Sequence, residues 1–264
     1  MKAQKTWLYE THFHTSLGSA CGHSRGPEYL ARYKRLHYNG IIVTDHFWRG
    51  NCAVNRHLPW REFVDAFCRG YEETRVAAEG TGIAVFFGWE ETYEGDDYLV
   101  YGLDKAWLYA HPEVIKWTRQ QQLEQVHAAG GCVVQAHPFR DRDYLNAIHL
   151  AQGLVDAYEV GNAGNPLPSD VQALRWAQKN AVVMTAGSDI HHSEDFEDGE
   201  LMGVVFDHEL KSIGDYVAAI REGIPFGIKT PPGHYDASLE MPLLQVYEHT
   251  QENTRLIRRV KELF

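Results

Sequence analysis

The sequence predicts an α/β protein in which the strands of one parallel sheet alternate with helices. Three observations support this class: short apolar runs recur along the 264 residues, longer amphipathic stretches separate them, and most runs are apolar almost throughout. Strands that alternate with helices indicate βαβ units, and strands without polar alternation are typical of a parallel sheet with both faces covered. About seven such units suit a closed barrel of this length, and an open doubly wound sheet is the alternative.

The predicted strands are the short apolar runs, and the predicted helices lie between them. The strands are 7–14, 40–47, 83–91, 98–103, 132–139, 156–162, 181–189 and 203–207. The first helix has a proline in its first turn, a position that helices tolerate, and the second and third end in glycine, a common stop signal. The helices are 27–38, 60–80, 111–131, 169–180 and 210–223.

The tail, roughly 224–264, differs in composition from the rest of the chain. It is rich in Pro and Gly and then becomes a charged stretch, 251–264, that we predict to be a helix. We interpret the tail as a capping segment of a single domain spanning 1–264, or as an oligomer contact through that helix, rather than as a second domain.

Composition excludes some functions and favours others. The formal net charge of −11 disfavours an extended interface with duplex nucleic acid, because an acidic surface repels phosphates. It leaves a small anionic substrate possible, since a bound metal inverts the field in a cleft. None of the four cysteines forms a C-x-x-C pair, the N-terminal residues lack an apolar signal core, and no run reaches membrane-spanning length. We therefore predict a cytoplasmic protein without a membrane partner.

Most of the predicted strands end in a potential metal ligand or have one close to their end. They are His12, His14, Asp45, His46, Glu90, Asp96, Asp97, His137, Asp189 and His191. Because the carboxyl ends of barrel strands meet at one rim, these side chains would surround one point. Residues i and i+2 of a strand point to the same side, so His12 and His14 would present two imidazoles to one ion.

The number and type of these residues indicate more than one transition-metal ion. Histidine mixed with carboxylate suits Zn, Mn or Fe better than Mg or Ca. Paired ions about 3.5–4 Å apart activate a water molecule and hold a phosphoryl group. Each motif alone has a simpler explanation, such as local hydrogen bonding of the two histidines or a helix cap at "TDH". The set as a whole favours a metal centre, whereas Asp97 and Cys21 are each either a ligand or a structural residue.

The chain resembles the PHP (polymerase and histidinol phosphatase) superfamily of metal-dependent phosphoesterases. The matching segments are "THFHTS", "TDHF", "GWEE", "QAHPFR" and "GSDIHH", which occur in the family's order over roughly 7–207. The resemblance implies a distorted (β/α)7 TIM-like barrel and a centre of two or three Mn, Fe or Zn ions. The ligands that it implies are His12, His14, His46, Glu90, His137, Asp189 and His191.

Two departures from the family pattern concern the ligands. Many members have a third histidine a few residues after the H-x-H pair, where this chain has Cys21 and His23 at shifted spacing. Many also have a histidine just before the strand predicted at 98–103, where this chain has Asp97. Because a carboxylate can replace an imidazole, Asp97 is kept among the predicted ligands, and the third metal site is left open.

Substrate contacts are predicted from basic side chains near the expected rim. Arg140 follows His137 and would bind phosphate oxygens through its guanidinium fork, or it is a surface residue paired with one of the aspartates after it. Arg25 and His23 are predicted to bind substrate in the same way. His192 is predicted to be a general acid for the leaving oxygen, with a supporting contact to the metal centre as the alternative.

These features together predict hydrolysis of a small phosphate ester by a metal-held hydroxide. The expected partner is a small phosphorylated substrate and not duplex nucleic acid. An amidohydrolase-type hydrolase or deaminase also begins with H-x-H on a barrel strand, but that family often has a bridging lysine, and no predicted strand here ends in lysine. A metal-binding scaffold without turnover is the non-enzymatic alternative.

Overall fold

The structure of the protein is a computed structural model, and it describes residues 5–140, 147–236, 245–249 and 254–257. The strands are β1 Trp7–Phe13, β2 Tyr38–Val43, β3 Ala84–Tyr93, β4 Asp96–Tyr101, β5 Cys132–Gln135, β6 Ala147–Leu150, β7 Ala157–Asn162, β8 Val183–Gly187, β9 Gly203–Phe206, β10 Gly227–Lys229, β11 Gln245–His249 and β12 Thr254–Ile257. The α-helices are α1 Gly26–Arg35, α2 Trp60–Phe67, α3 Arg69–Ala77, α4 Lys105–Ala110, α5 Arg119–Ala128, α6 Leu167–Asn180 and α7 Ile213–Glu222.

The main sheet has nine strands and is curved into a nearly closed barrel. Its order is β10-β9-β1-β2-β3-β4-β5-β7-β8. The residues just after β8 join it to β1: Phe13 pairs with Ile190 in parallel, and the Asp189 amide donates to the His12 carbonyl at 2.9 Å. The predicted distorted TIM-like barrel is therefore confirmed as the fold class.

The sheet is mixed, so the prediction of a wholly parallel sheet is wrong at two places. β4 runs antiparallel to both β3 and β5, and β9 runs antiparallel to β1. Only Glu94 and Gly95 connect β3 to β4, and both have positive φ angles, 56° and 91°. Two residues cannot make the crossover that parallel strands need, and two positive φ angles are typical of a type I′ hairpin turn.

Two of the predicted helices are interrupted. The stretch predicted at 60–80 is divided at Cys68 into α2 and α3. The stretch predicted at 111–131 contains a short 3₁₀ helix, Pro112–Lys116, followed by α5. The second interruption has a local cause, because the Thr118 and Gln121 side chains and backbone amides form a capping box that starts a new helix.

The predicted C-terminal helix is wrong over the part of the tail that the structure describes. Thr254–Ile257 form β12, which pairs with β11, and β11 pairs in parallel with β6. Pairing with distant strands overrides the helical preference of a charged stretch, because strand formation depends on such neighbours. These residues therefore give no support to an oligomer contact through a C-terminal helix. The remainder of the predicted helix, 251–253 and 258–264, lies outside the described residues, and the single-domain prediction stays a prediction.

The stretch after β2 shows how the core orients the candidate site. The Phe47 amide donates to the Glu90 carbonyl at 2.6 Å, and the Glu90 amide donates to the Asp45 carbonyl at 3.0 Å, so strand-like pairing with β3 continues past β2. The fully buried Phe47 ring packs edge-on against Phe67 at a centroid distance of 4.9 Å. Because neighbouring residues of an extended stretch point to opposite sides, His46 faces the carboxyl end of the barrel.

Over the described ranges, no helix combines the length and apolar character needed to cross a bilayer. The cytoplasmic location stays a prediction.

Candidate metal centre

The structure brings all eight predicted metal ligands together at the carboxyl end of the barrel. They form four overlapping groups whose potential ligand atoms lie within 4.8 Å of one another in each group. The groups are His12, His14 and Glu90; His12, His137 and Asp189; Glu90, Asp97 and His137; and His14, His46 and His191. Because neighbouring groups share residues, they make one continuous centre rather than four separate sites.

Glu90 on β3 lies in the middle of this centre. Its Oε1 atom is 3.4 Å from His12 Nε2 and 3.3 Å from His137 Nε2. Its Oε2 atom is 3.3 Å from His14 Nε2 and 2.8 Å from His46 Nδ1. The carboxylate is fully buried, and neither oxygen forms a hydrogen bond of good geometry. Glu90 is therefore placed to bridge two ligand groups.

The outer nitrogen of each histidine of the H-x-H pair is held by a hydrogen bond. His12 Nδ1 is 3.0 Å from Glu159 Oε1, and His14 Nδ1 is 2.9 Å from Ser19 Oγ. Ser19 Oγ also donates to Asp45 at 2.8 Å, so it accepts from His14. With protons on both Nδ1 atoms, the Nε2 atoms point lone pairs into the centre.

The Nε2 atoms of His12 and His14 indicate whether these residues could hold a metal ion. Both atoms are buried and have no hydrogen-bond partner, and the same is true of both oxygens of Glu90. Burying polar atoms without partners costs about 1–3 kcal/mol each, so a group of them facing one point is expected only where a ligand satisfies them. Imidazole nitrogen combined with carboxylate oxygen suits Zn, Mn or Fe. The centre therefore fits divalent transition metals.

The charges of the centre shift one another's pKa values strongly. Burial would raise the pKa of Glu90, but His46 and His12 hold it well below its ordinary value. Burial would also raise the pKa of Asp189, but His12 and Arg140 lower it well below the usual range. Burial would lower the pKa of His12, but carboxylates led by Asp189 raise it well above its ordinary value. The buried carboxylates thus favour a positive charge close to them, and a divalent cation would supply one.

Two ligands have backbone angles that side chains rarely adopt. Asp189 has a φ of 52° and His137 a φ of 28°. Asp and His are enriched among non-glycine residues with positive φ, and such strained positions cluster at functional sites. At Asp189 the conformation follows from barrel closure, because its amide donates to the His12 carbonyl at 2.9 Å.

Glu159 on β7 is a functional residue that the sequence prediction missed. Its Oε1 contacts His12, and its Oε2 accepts from the His137 amide at 3.0 Å and from Asn162 Nδ2 at 2.8 Å. It thereby orients one ligand side chain and the backbone of another. The available signal was a single carboxylate within the strand residues "AYEVGN", because a buried charge needs a partner. Ser19 was also missed, and it has no comparable signal.

We expect Glu159→Gln to weaken metal binding about 10–100-fold without unfolding the barrel. Glutamine keeps the size of the side chain but removes the charge that fixes the His12 tautomer. Competition against a chelating dye measures the affinity, and circular dichroism checks the fold. Glu72→Gln is the control, because Glu72 is a partly exposed carboxylate outside the centre that pairs with Lys105. Equal affinities for the wild type and Glu159→Gln would contradict the role of Glu159.

Two strand-end carboxylates serve other partners and belong to none of the four groups. Asp45 accepts from the Thr15 amide and hydroxyl at 2.6 and 2.7 Å, so it holds the loop after β1. Asp96 lies 2.5 Å from His149 Nδ1. Asp97, its neighbour, is the one that joins the centre.

Arg140 is buried, so the surface alternative is wrong. Its Nη2 donates to Asp189 Oδ2 at 2.5 Å, and its Nε donates to Asn165 at 2.6 Å. The guanidinium therefore positions a metal ligand at the edge of the cleft. The aspartates named as its alternative partners, Asp141 and Asp143, lie outside the described residues. Its contact with substrate stays a prediction.

The other four candidate residues differ in their position relative to the cleft, and they are Arg25, His192, His23 and Cys21. Arg25 is exposed, pairs with Glu73 and is absent from the described residues that line the cleft. His192 is also absent from that lining, and its Nδ1 accepts from the Glu194 amide at 3.1 Å. His23 lies on the cleft as an exposed side chain.

Cys21 lines the cleft beside His46 and His191. Burial would raise the pKa of its thiol, but hydrogen bonds from the two imidazoles lower it to about 6.

A cleft of about 580 Å³ opens over the centre. Its walls include several of the ligands together with His23, Arg49, Asn51 and Thr92. Arg49 is committed to structural contacts, because it pairs with Glu91 at 3.1 Å and donates to the Trp117 carbonyl at 2.7 Å. The volume is within the range of small-molecule sites.

The fold is similar to that of two solved structures, one of which contains a predicted PHP-like metal-dependent phosphoesterase. A two-domain protein from Bacteroides vulgatus that contains a predicted PHP-like metal-dependent phosphoesterase matches with a TM-score of 0.57 and 18% identity, over 82% of this chain and 63% of that chain. PsfC from Pseudomonas syringae matches with a TM-score of 0.56 and 16% identity, over 88% and 94% of the two chains. The chain thus has a PHP-like fold, as its motifs indicated, and it spans about 63% of the two-domain protein.

An amidohydrolase from Chromobacterium violaceum has a TM-score of 0.47 and 15% identity, over 80% of this chain and 96% of that chain, which is too low a similarity to decide between functions. No protein-family model matches the sequence, and no curated protein matches it significantly.

Proposed function

We propose that the protein is a metal-dependent phosphoesterase that hydrolyses a small phosphate ester. The observation that carries the proposal is the group of buried ligand atoms without hydrogen-bond partners, among them His12 Nε2, His14 Nε2 and both Glu90 oxygens, beneath a cleft of about 580 Å³. The PHP-like fold supports phosphate esters as the substrate class.

The eight clustered side chains would hold two or three ions of Mn, Fe or Zn. When bound, such ions activate water for attack and stabilise the charge that develops on phosphoryl oxygens. The protein's own part is orientation: Glu159 and Ser19 fix the tautomers of His12 and His14, and Arg140 holds Asp189. His23, on the cleft wall, is better placed than His192 or Arg25 to contact a bound phosphate.

A small substrate is proposed on grounds of space and charge. The cleft suits a small molecule, and its two arginines are engaged with carboxylates. A duplex would need a basic surface, whereas the net charge is −11. The amidohydrolase alternative is less favoured, because no lysine is among the described residues that line the cleft.

The first test is metal removal followed by reconstitution. We expect at least two equivalents of transition metal per chain, and we expect chelation to lower hydrolysis of an aryl phosphate by at least about 100-fold, because the metals supply both the nucleophile and the charge stabilisation. Elemental analysis and a chromogenic assay measure both quantities, and Mn, Fe or Zn should restore activity. An Asp189→Asn preparation purified in parallel excludes a contaminating phosphatase.

Three outcomes would contradict all or part of the proposal. A protein that binds no metal after reconstitution lacks the centre altogether. A protein that binds metal but turns over neither aryl phosphates nor any member of a panel of phosphorylated metabolites is a scaffold. Duplex DNA binding that weakens with salt at a slope of several phosphate contacts, with strand cleavage, would instead contradict the small substrate.

A further inference from the structure

Asp189 presents its two carboxylate oxygens to different partners. Its Oδ1 atom faces the Nε2 atoms of His12 and His14, at 3.4 and 3.2 Å. Its Oδ2 atom accepts from Arg140 Nη2 at 2.5 Å and from Asn162 Nδ2 at 3.3 Å. Arg140 and Asn162 therefore hold the carboxylate with one oxygen turned toward the histidines of the H-x-H pair.

Arg140 is itself held by the loop between β7 and α6. Its Nε atom donates to Asn165 Oδ1 at 2.6 Å, and Asn165 Nδ2 donates to Asp170 Oδ1 at 2.9 Å. Asn165 lies in a turn in which its amide donates to the Asn162 carbonyl at 3.0 Å. A continuous row of hydrogen bonds thus runs from Asp170, through Asn165 and Arg140, to Asp189.

The two ends of this row determine the direction of the bonds between them. An ionised carboxylate only accepts hydrogen bonds, and a guanidinium only donates them. The Asn165 side chain must therefore present its NH2 group to Asp170 and its oxygen to Arg140. Without an obligatory acceptor at position 170, the amide could turn over, and its NH2 group would then face the Arg140 Nε–H.

Asp170 is fully buried, and its hydrogen bonds differ from those of a helix cap. Three donors among the described residues reach it: Asn165 Nδ2, the Asn162 amide at 2.8 Å and His234 Nε2 at 2.8 Å. All three lie outside α6, the helix to which Asp170 belongs. Burial raises the pKa of Asp170, whereas the hydrogen bonds from His234 and the Asn162 amide act against this and favour the charged form. The carboxylate therefore serves the loop before α6 and the tail, rather than the start of its own helix.

His234 belongs to the tail segment that follows β10. This segment packs on β7, where the Tyr235 hydroxyl donates to the Val160 carbonyl at 3.1 Å. A Cβ atom at Gly161 would lie 3.0 Å from Tyr235 Oη, so a residue without a side chain allows this close contact. The His234 side chain is only 10% exposed where it meets Asp170. The tail thus contributes a donor to the row of hydrogen bonds that ends at the centre.

We propose that Asp170 is a positioning residue of the centre, which acts through Asn165 and Arg140 to fix the orientation of the Asp189 carboxylate. This inference rests on the proposed metal-dependent function and adds to it an outer row of hydrogen bonds, supported by His234 of the tail. With Oδ2 engaged, Asp189 would offer Oδ1 alone to an ion. Hydrogen bonds in such a network are coupled, so a change at Asp170 is expected to alter the binding of metal at Asp189.

The zinc(II) affinity of the metal-free protein, measured by competition against a chromophoric chelator, tests the proposal. We expect Asp170→Asn to weaken binding about 10-fold, at the lower end of the range for outer partners of a ligand, because it acts through two further residues. Asn165→Ala breaks the same row at a partly exposed loop residue and should have an effect of equal size. Asp156→Asn is the matched control, because Asp156 likewise accepts from a backbone amide and contacts a histidine, but at the opposite end of the barrel.

A second background separates positioning from a general effect on folding. Arg140→Lys keeps a positive charge beside Asp189 but lacks the Nε–H group that donates to Asn165. In that background Asp170→Asn should change the zinc affinity by less than about twofold, because the row is already broken, whereas independent effects would add. His234→Ala should weaken zinc binding in the wild-type background, and His234→Gln, which keeps an N–H donor, should restore most of the affinity.

The outcomes distinguish this proposal from the proposed function. If the wild type binds no zinc, both are overturned. If the wild type binds zinc and Asp170→Asn and Asn165→Ala bind it as tightly, the positioning role is overturned and the centre remains. An equal loss of affinity from Asp170→Asn in the wild-type and Arg140→Lys backgrounds overturns the route through Arg140. A loss confined to the wild-type background, with Asp156→Asn unaffected, supports the proposal.

Discussion

Asp189→Asn is expected to lower kcat/KM by at least about 100-fold, beyond the effect of losing an outer partner of a ligand, and to reduce the bound metal. Asp189 Oδ1 lies 3.4 Å from His12 Nε2 and 3.2 Å from His14 Nε2, so its charge acts on both histidines. Asparagine keeps the shape and tolerates the φ of 52° at this position. The loss would therefore reflect the missing charge and not a strained backbone.

The matched control for this variant is Asp156→Asn. Asp156 accepts from the Val133 amide at 2.8 Å and lies 2.7 Å from His127 Nε2. It directly precedes β7, at the barrel end opposite the metal centre. We expect it to retain metal and activity in elemental analysis and steady-state kinetics. The assignment of Asp189 is wrong if its asparagine variant retains both.

Glu90→Gln is expected to have an effect of similar size through the loss of bound metal. The carboxylate contacts histidines through both oxygens, and a glutamine would present an amide N–H where one oxygen now lies. That N–H cannot bind a cation, and the substitution removes the negative charge that now lies between His12 and His46. We expect at least one equivalent of metal to be lost and kcat to fall by at least about 100-fold.

Glu91→Gln provides a control on the adjacent residue. Glu91 is equally buried, but it lies on the other side of β3, where it accepts from the Arg49 amide at 2.7 Å and pairs with the Arg49 guanidinium at 3.1 Å. We expect this variant to lose about 1–3 kcal/mol of stability while it retains its metal. Denaturant titration and elemental analysis distinguish the two effects. Equal loss of metal in both variants would show that Glu90 acts only through folding.

The clustering of the eight candidate ligands could be predicted because each of them is marked by a local feature of the sequence. His12 and His14 share a face of a strand by its two-residue period, and His137 and Asp189 each follow an apolar run. Any closed arrangement of such strands brings their carboxyl ends together. The predicted clustering therefore did not depend on knowing which strands are neighbours, and the side chains lie together even though β4 and β9 run in the opposite direction. Their role as metal ligands stays a prediction.

Contacts between residues that are distant in the sequence could not be predicted in this way. Glu159 reaches His12 only because β7, β8 and β1 follow one another around the barrel, a relation between residues 147 positions apart. Arg140 could be predicted to lie near the rim, but its buried hydrogen bond to Asp189 depends on how the segments that carry these two residues pack together.

The amino-acid sequence alone was sufficient for the alternation of strands and helices, for the barrel class and for the eight clustered ligands. All three follow from short-range periodicity and from the apolar character of each run. Strand direction at the β3–β4 hairpin, the strand Thr254–Ile257 and the hydrogen bonds that orient the ligands required the folded chain. These features depend on which surfaces meet after distant segments pack, and a buried polar atom takes whichever partner that packing brings within reach.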